Sequence, residues 1–223
     1  MKKTVILFTA LFTILLANAQ ETRKVSDFSK LSVRGSFDVK LVNGGDIVIK
    51  TKKPEILKDL KTEVENGKLS IYLENNNRYS NVDISIQVPV KSLDELTLTG
   101  SGTIDSDVTI KTNTFKSELN GSGDIKLSVT ADSVKASVRG SGDMTLKGKT
   151  TNLTAEVFGS GDLEAYGLES ANTDVVVNGS GDANVYASEN LKARITGSGD
   201  ISFRGNPKKE DSKVSGSGSI EKG

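Results

Sequence analysis

The tripeptide Gly-Ser-Gly occurs seven times between residues 100 and 218 of this 223-residue chain, at nearly constant spacing. The first glycines are Gly100, Gly121, Gly140, Gly159, Gly179, Gly197 and Gly216, which gives intervals of 21, 19, 19, 20, 18 and 19 residues. A glycine–serine tract alone is typical of a flexible linker, but each copy here lies among alternating apolar residues. The spacing therefore indicates a structural repeat of about 19 residues.

Aliphatic and polar residues alternate on both sides of each glycine pair. The position two residues before the first glycine holds Leu98, Leu119, Val138, Val157, Val177, Ile195 and Val214. The position four residues after it holds Ile104, Ile125, Met144, Leu163, Ala183, Ile201 and Ile220. A period of two predicts β-strands whose even offsets from the glycine point into a core.

A repeat of this length holds two or three short strands and leaves no room for a long helix. Because one repeat cannot bury its own apolar face, successive repeats must stack, and their strands pair in parallel about 4.8 Å apart. The sequence thus predicts an all-β fold, a single-stranded parallel β-helix (β-solenoid) of about 19 residues per coil. A right-handed coil follows from the general preference for right-handed crossovers between parallel strands.

The glycines are predicted to form a corner of each coil, because glycine adopts positive φ and permits close approach of backbones. Both glycines of every copy are assigned to these structural turns: Gly100 and Gly102, Gly121 and Gly123, Gly140 and Gly142, Gly159 and Gly161, Gly179 and Gly181, Gly197 and Gly199, Gly216 and Gly218.

Three parts of the chain are distinguished by composition. In residues 1–19, two lysines precede a 13-residue apolar run from Val5 to Ala17, and Ala17-Asn18-Ala19 predicts signal-peptide cleavage after Ala19. The run is shorter than the roughly 20 residues that span a bilayer, so no membrane span is expected in the mature chain. Residues 20–94 are predicted to form the less regular N-terminal part of the β-helix, and residues 95–223 its regular coils. The expected location is the periplasm, the outer surface or the extracellular space.

The N-terminal part contains four predicted strands and one short helix. The strands are Phe37–Val42, Asp46–Lys50, Lys68–Leu73 and Val82–Val88, and the helix falls within Pro54–Glu65.

Composition excludes several classes of function. The chain has no histidine, cysteine or tryptophan, which removes thiol nucleophiles, disulfides, zinc–thiolate sites and imidazole bases. Cleavage after Ala19 would leave 29 − 2 = 27 basic and 29 acidic residues, a net charge of −2 without basic clusters. Nucleic acid is therefore not an expected partner.

A column of carboxylates is expected at the glycine corner. It comprises Asp124, Asp143, Asp162, Asp182 and Asp200. Each carboxylate could accept hydrogen bonds from serine hydroxyls and N–H groups of its own corner. Alternatively, calcium could lie between neighbouring coils, since it takes only oxygen ligands. No other cofactor or metal is expected.

Aromatic side chains suggest a ligand surface. Tyr166 and Tyr186 occupy the seventh position after the glycine in consecutive repeats, where the next repeat has Arg204, and Phe158 occupies an outward position. Stacking between coils would explain the tyrosines as structure. A platform for sugar rings or a partner protein is the functional alternative.

The segment Gly35-Ser36-Phe37-Asp38-Val39-Lys40-Leu41 repeats the same frame with phenylalanine in place of the second glycine. Together with the later Gly-Ser-Gly-Asp coils, it resembles the bacterial family described as putative auto-transporter adhesin, head GIN domain. The resemblance covers about residues 25–220. It implies an exported β-helical protein, commonly from Bacteroidetes, and carries over no catalytic residue.

The leading hypothesis is an exported, non-catalytic protein that presents a surface for adhesion or cell-envelope interaction, with an envelope protein or a polysaccharide as partner. Seven similar coils spread the same chemistry along the axis, whereas an enzyme concentrates unlike groups. One alternative is a polysaccharide lyase or glycoside hydrolase, which could use carboxylates, lysine and arginine. Another is a purely structural envelope component.

Overall fold

The computed structural model describes residues 19–74 and 83–223. The predicted signal peptide, apart from Ala19, and the first residue of the predicted strand Val82–Val88 lie outside these ranges. The described chain is nearly all β and forms a β-solenoid of about seven turns with about 19 residues per coil. This confirms the fold class that the Gly-Ser-Gly spacing predicts.

The described residues form eighteen strands. They are β1 (Ala19–Arg23), β2 (Lys30–Arg34), β3 (Asp38–Asn43), β4 (Ile47–Thr51), β5 (Leu60–Glu65), β6 (Lys68–Leu73), β7 (Ile84–Val90), β8 (Glu95–Gly100), β9 (Thr103–Gly121), β10 (Asp124–Gly140), β11 (Asp143–Gly159), β12 (Leu163–Glu164), β13 (Leu168–Gly179), β14 (Ala183–Tyr186), β15 (Asn190–Gly197), β16 (Ile201–Arg204), β17 (Lys209–Gly216) and β18 (Ile220–Lys222).

The regular coils stack in parallel with repeat positions in register. Strands β9, β10, β11, β13, β15 and β17 pair in succession, as do β12, β14, β16 and β18. Gly140 lies between Gly121 and Gly159, and the file continues through Gly179, Gly197 and Gly216. Consecutive Gly-Ser-Gly triplets therefore form a single column along the axis.

The core lies inside the coils at the even offsets. From Leu98 to Ile195, the side chains two residues before each first glycine are at most 2% exposed. Val214, at the same offset in the last coil, is 40% exposed because no described residue stacks above it. The alternating pattern thus places one continuous apolar core along the axis, and this core is open at the coil formed by β17 and β18.

In the N-terminal part, the order along the axis differs from the order along the chain. Strand β2 pairs in parallel with both β6 and β8, and β3 pairs in parallel with both β7 and β9. The coil made of β2 and β3 is therefore held between the β6–β7 coil and the β8–β9 coil. Antiparallel strands then close this end, with β5 on β6, β4 on β7 and β1 on β4.

The segment Pro54–Glu65 departs from the predicted short helix. Only Pro54–Ile56 forms a 3-10 turn, and Leu60–Glu65 is strand β5. Leu60 pairs with Leu73 and Val64 with Leu69, so the apolar residues of this segment complete an antiparallel hairpin. Pairing with a preformed edge outweighs the local helical preference of the segment.

The glycine corner requires close packing of backbones. Gly140 has φ +122, which L side chains rarely adopt. A Cβ added to Gly142 would collide with the carbonyl oxygen of Gly123 and lie 2.9 Å from its nitrogen. The first glycine thus supplies an unusual backbone angle, and both glycines permit the coils to approach closely.

Candidate functional site

The aspartate column joins neighbouring coils by hydrogen bonds. The backbone N–H of Asp182 donates to Oδ1 of Asp162 at 2.8 Å, and the N–H of Asp200 donates to Oδ1 of Asp182 at 2.8 Å. The N–H of Asp162 donates to Oδ1 of Asp143 at 3.1 Å. Each of these carboxylates therefore accepts from the next coil, and a charged acceptor makes such bonds stronger than neutral ones.

This arrangement differs from the expected bonding within one corner. The corner N–H groups of Ser160 and Gly161 both donate to the carbonyl oxygen of Gly140 in the preceding coil, at 2.9 and 3.0 Å. Because these donors are occupied, the carboxylate of Asp162 accepts from the coil that follows. Within residues 19–74 and 83–223, no group of three or more acidic side chains is arranged to hold a metal ion.

The predicted aromatic surface is divided by the glycine corner. Phe158 is the penultimate residue of β11, before the corner, and is 36% exposed. Its ring centroid lies 5.2 Å from the guanidinium carbon of Arg139. Tyr166 lies beyond the corner and is half-buried. The guanidinium of Arg204 covers the Tyr166 ring at 4.2 Å, and Tyr186 is paired in register with Arg204. Tyr166, Tyr186 and Arg204 thus form one compact group, and Phe158 belongs to another strand.

Ion pairs between coils cover the strand face that precedes the corner. Nζ of Lys135 lies 3.2 Å from Glu156, and Nζ of Lys192 lies 2.8 Å from Asp174. Arg194 pairs with Asp211, and its hydrogen bond holds the pKa of the Asp211 carboxyl below the ordinary value. These charges are paired along the axis, so they bind adjacent coils together.

Other shifted pKa values belong to separate surface contacts. Hydrogen bonds to Asp83, Glu74 and Glu118 raise the pKa of Lys52, Lys61 and Lys116, respectively. A hydrogen bond to Glu63 raises the pKa of the Tyr72 hydroxyl, on a strand beside Lys61. Apart from Lys61 and Tyr72, these groups occupy different coils, and their shifts arise from individual partners.

Sequence reasoning missed a groove beside a row of asparagines. The amide of Asn172 donates to Oδ1 of Asn152 at 3.0 Å, and the amide of Asn190 donates to Oδ1 of Asn172 at 2.6 Å. The three residues line a groove of about 400 Å³, together with Asp174 and Lys192; we call it the asparagine groove. A signal was present, because all three residues lie seven positions before the first glycine of their repeats.

The repeat geometry agrees with a match to a known family. The family model described as "Putative auto-transporter adhesin, head GIN domain" matches residues 27–207. The chain belongs to this family. This confirms the family resemblance predicted from the Gly-Ser-Phe-Asp segment and the later coils.

Three solved structures similar to this head GIN domain chain come from Bacteroidetes. A putative adhesin from Bacteroides fragilis has a TM-score of 0.80 at 20% identity, with 92% of this chain and 97% of that chain covered. A putative lipid binding protein from Parabacteroides distasonis has a TM-score of 0.73 at 26% identity, with coverage of 92% and 96%. A putative adhesin from Parabacteroides merdae has a TM-score of 0.70 at 18% identity, with coverage of 92% and 96%. The search of curated proteins found no match.

The family and its neighbours are associated by name with an adhesin-like role. Across the part of the chain that the structure describes, no helix is long and apolar enough to cross a membrane.

Proposed function

We propose that this chain is an exported, non-catalytic β-solenoid that presents its outer surface for adhesion or cell-envelope interaction. The observation that carries the proposal is the repetition of equivalent polar columns along one axis, of which the aspartate column from Asp143 to Asp200 is an example. Repeat proteins use extended surfaces of this kind for binding. The adhesin names of the family and of its structural neighbours support the same reading.

The arrangement of charges favours binding over catalysis. Glycosidic cleavage needs two carboxylates with separated pKa values on either side of the scissile bond. Three carboxylates line the asparagine groove: Asp174 is paired with Lys192, Asp211 is paired with Arg194, and Glu210 accepts from the Ser212 hydroxyl. All three are thus engaged by other side chains of the solenoid, which is a structural use of these groups.

A polar partner fits the surface better than a lipid. One neighbour carries a lipid-binding name, but an acyl chain needs a contiguous apolar patch. The large hydrophobic side chains exposed within the described ranges are Phe158, at 36%, and Val214, at 40%. They lie on strands β11 and β17, separated by the coils of β13 and β15, so they form no continuous patch.

The test uses the protein from Gln20 to Gly223 with bacterial envelope fractions and a polysaccharide panel. Retention is measured alongside the release of reducing ends. Retention without release is the expected result, and release of reducing ends would overturn the non-catalytic assignment. Mass spectrometry of the protein expressed from the full gene should find Gln20 at the N-terminus, as signal-peptide cleavage after Ala19 requires.

A further inference from the structure

The asparagine groove has the dimensions of a ligand site. Its volume of about 400 Å³ falls within the range of roughly 300–1,000 Å³ that is usual for small-ligand pockets. It crosses four consecutive strands, because its lining comes from β11, β13, β15 and β17. An elongated ligand lying along the solenoid axis would therefore meet one row of side chains per coil.

The asparagines retain hydrogen-bonding capacity after bonding to each other. A primary amide has two N–H donors and an oxygen that accepts two bonds. The row uses one N–H of Asn172 and one of Asn190, so each of the three amides keeps at least one N–H. Asn152 and Asn190 are exposed to solvent. The groove thus offers donors and acceptors at the spacing of successive coils.

Asp174 supplies a further acceptor to the groove. Its Oδ2 pairs with Nζ of Lys192, while its Oδ1 is buried and has no hydrogen-bond partner. A buried oxygen without a partner is uncommon and is costly to leave unsatisfied. The terminal torsion of aspartate is broad, and rotation of the carboxyl about it is the movement by which this oxygen would meet a donor in the groove.

The charge of the asparagine groove narrows the class of ligand that it can bind. Its charged lining residues are Lys192, Lys209, Asp174, Glu210 and Asp211, two cations against three anions. An acidic ligand gains no net attraction from this set. Leu153 and Leu191 border the groove but are at most 2% exposed, so the surface open to a ligand is mainly polar. A row of amides suits a molecule with many hydroxyl groups and no charge.

We propose that the asparagine groove binds a neutral oligosaccharide, with its chain along the solenoid axis and successive sugars facing Asn152, Asn172 and Asn190. The inference rests on the proposed adhesive function, for which it names a site and a ligand class. The amides donate to and accept from sugar hydroxyls, and Asp174 accepts from one hydroxyl through its unpartnered oxygen.

Nuclear magnetic resonance tests the site directly, because the side-chain amide groups of asparagine give their own signals. The ¹⁵N-labelled protein is titrated with three neutral probes: cellotetraose, mannotetraose and tetra-N-acetylchitotetraose. Trigalacturonate serves as an acidic probe and phosphatidylcholine vesicles as a lipid probe. The expected result is a saturable shift of the Asn152, Asn172 and Asn190 amide signals with at least one neutral probe.

A matched pair of variants separates binding from folding. Asn152→Ser copies Ser133, the residue in register one coil earlier, so the coil tolerates it. It should weaken binding about three- to tenfold, as expected for the loss of one or two hydrogen bonds. Asn178→Ala changes an asparagine of β13 outside the groove and should leave affinity unchanged. Thermal melting checks that both variants are folded.

Several outcomes would overturn the proposal. They are unmoved asparagine signals with all three neutral probes at millimolar concentration, tighter binding of trigalacturonate or of vesicles, and equal affinity of the Asn152→Ser and parent proteins. Retention on envelope fractions distinguishes the two levels of inference. If the Asn152→Ser variant is retained as well as the parent protein, the adhesive function stands and the groove is refuted, whereas a parent protein that is not retained at all refutes the adhesive function itself.

Discussion

Replacing Gly142 with alanine tests how tightly the coils are packed at the corner. Gly142 has no left-handed φ, so the change adds only a Cβ, directed at the backbone of Gly123. To relieve the collision, the corner must move away from the preceding coil. This movement lengthens the bond from the N–H of Asp143 to the oxygen of Gly123, now 3.2 Å, and the bond from the N–H of Gly142 to the oxygen of Gly121, now 3.1 Å.

The expected loss follows from those two bonds. Each backbone hydrogen bond contributes about 1 kcal/mol net, and overpacking by one methyl costs about 1–3 kcal/mol. The lengthened bonds are how the chain absorbs the added methyl, so the two costs describe one displacement and are not summed; the free energy of unfolding should fall by about 2–3 kcal/mol. For a chain of this size, the melting temperature should fall by about 5–10 °C.

Two further alanine variants separate the collision from the backbone angle. Gly44 has φ +61 and no atom within 4 Å of an added Cβ, so Gly44→Ala carries only the cost of the angle, about 1 kcal/mol. Gly140 has both features, with φ +122 and a collision with Gly121, and its variant should lose about 3–4 kcal/mol. Urea unfolding followed by circular dichroism measures all three. Equal stability of Gly142→Ala and Gly44→Ala would refute the close-approach argument.

Three other predictions follow from contacts between coils. Asp162→Ala should lower the free energy of unfolding by about 1 kcal/mol, because the N–H of Asp182 loses its acceptor. Asp162→Asn keeps an oxygen acceptor and should cost less. Equal losses in urea unfolding would contradict the role of Asp162 as an acceptor between coils. Arg194 lowers the folded-state pKa of Asp211, so the contribution of this pair to the free energy of unfolding is present at neutral pH and is lost as pH falls through that pKa. In the Arg194→Gln variant, NMR titration should find the Asp211 pKa at its ordinary value. An unchanged pKa would exclude the contact. Glu210 and Lys222 stand in register with the buried residues Leu191 and Phe203 of the preceding coil. The double variant Glu210→Leu, Lys222→Leu should therefore associate with other copies through its terminal coil. Analytical ultracentrifugation that finds only monomer at high concentration would refute this.

Periodic features of this fold are readable from sequence because each is repeated in several coils. The aliphatic position of Leu119 and Val138 recurs at a constant offset, so one pattern predicts the strands, their inward faces and their register. Ser137 shows the limit of the pattern. It has an odd offset and was expected outside, yet it is fully buried. Whether an offset is even or odd therefore predicts the register of the strand, while packing against neighbouring coils determines how much of a short side chain is buried.

Features that depend on pairing between distant segments could not be predicted. Strand β5 forms because Leu60 and Val64 meet Leu73 and Leu69, and the local sequence of Pro54–Glu65 carries no sign of that partner. The same is true of Arg204 over Tyr166, which joins residues of different coils. The Asn152 row was accessible in principle, since its offset is constant, but it spans only three repeats.

Placement of β2 and β3 between two later segments gives assembly of this molecule a direction. Strand β2 gains its parallel neighbours only from β6 and β8, and β3 gains them only from β7 and β9, so the earliest part of the chain matures late. From there on, each new turn needs only the preceding turn as a template and closes a loop of about 19 residues, which is entropically inexpensive. Duplication of a repeat near Gly197 would thus lengthen the rod by about 4.8 Å per unit without disturbing the closed end.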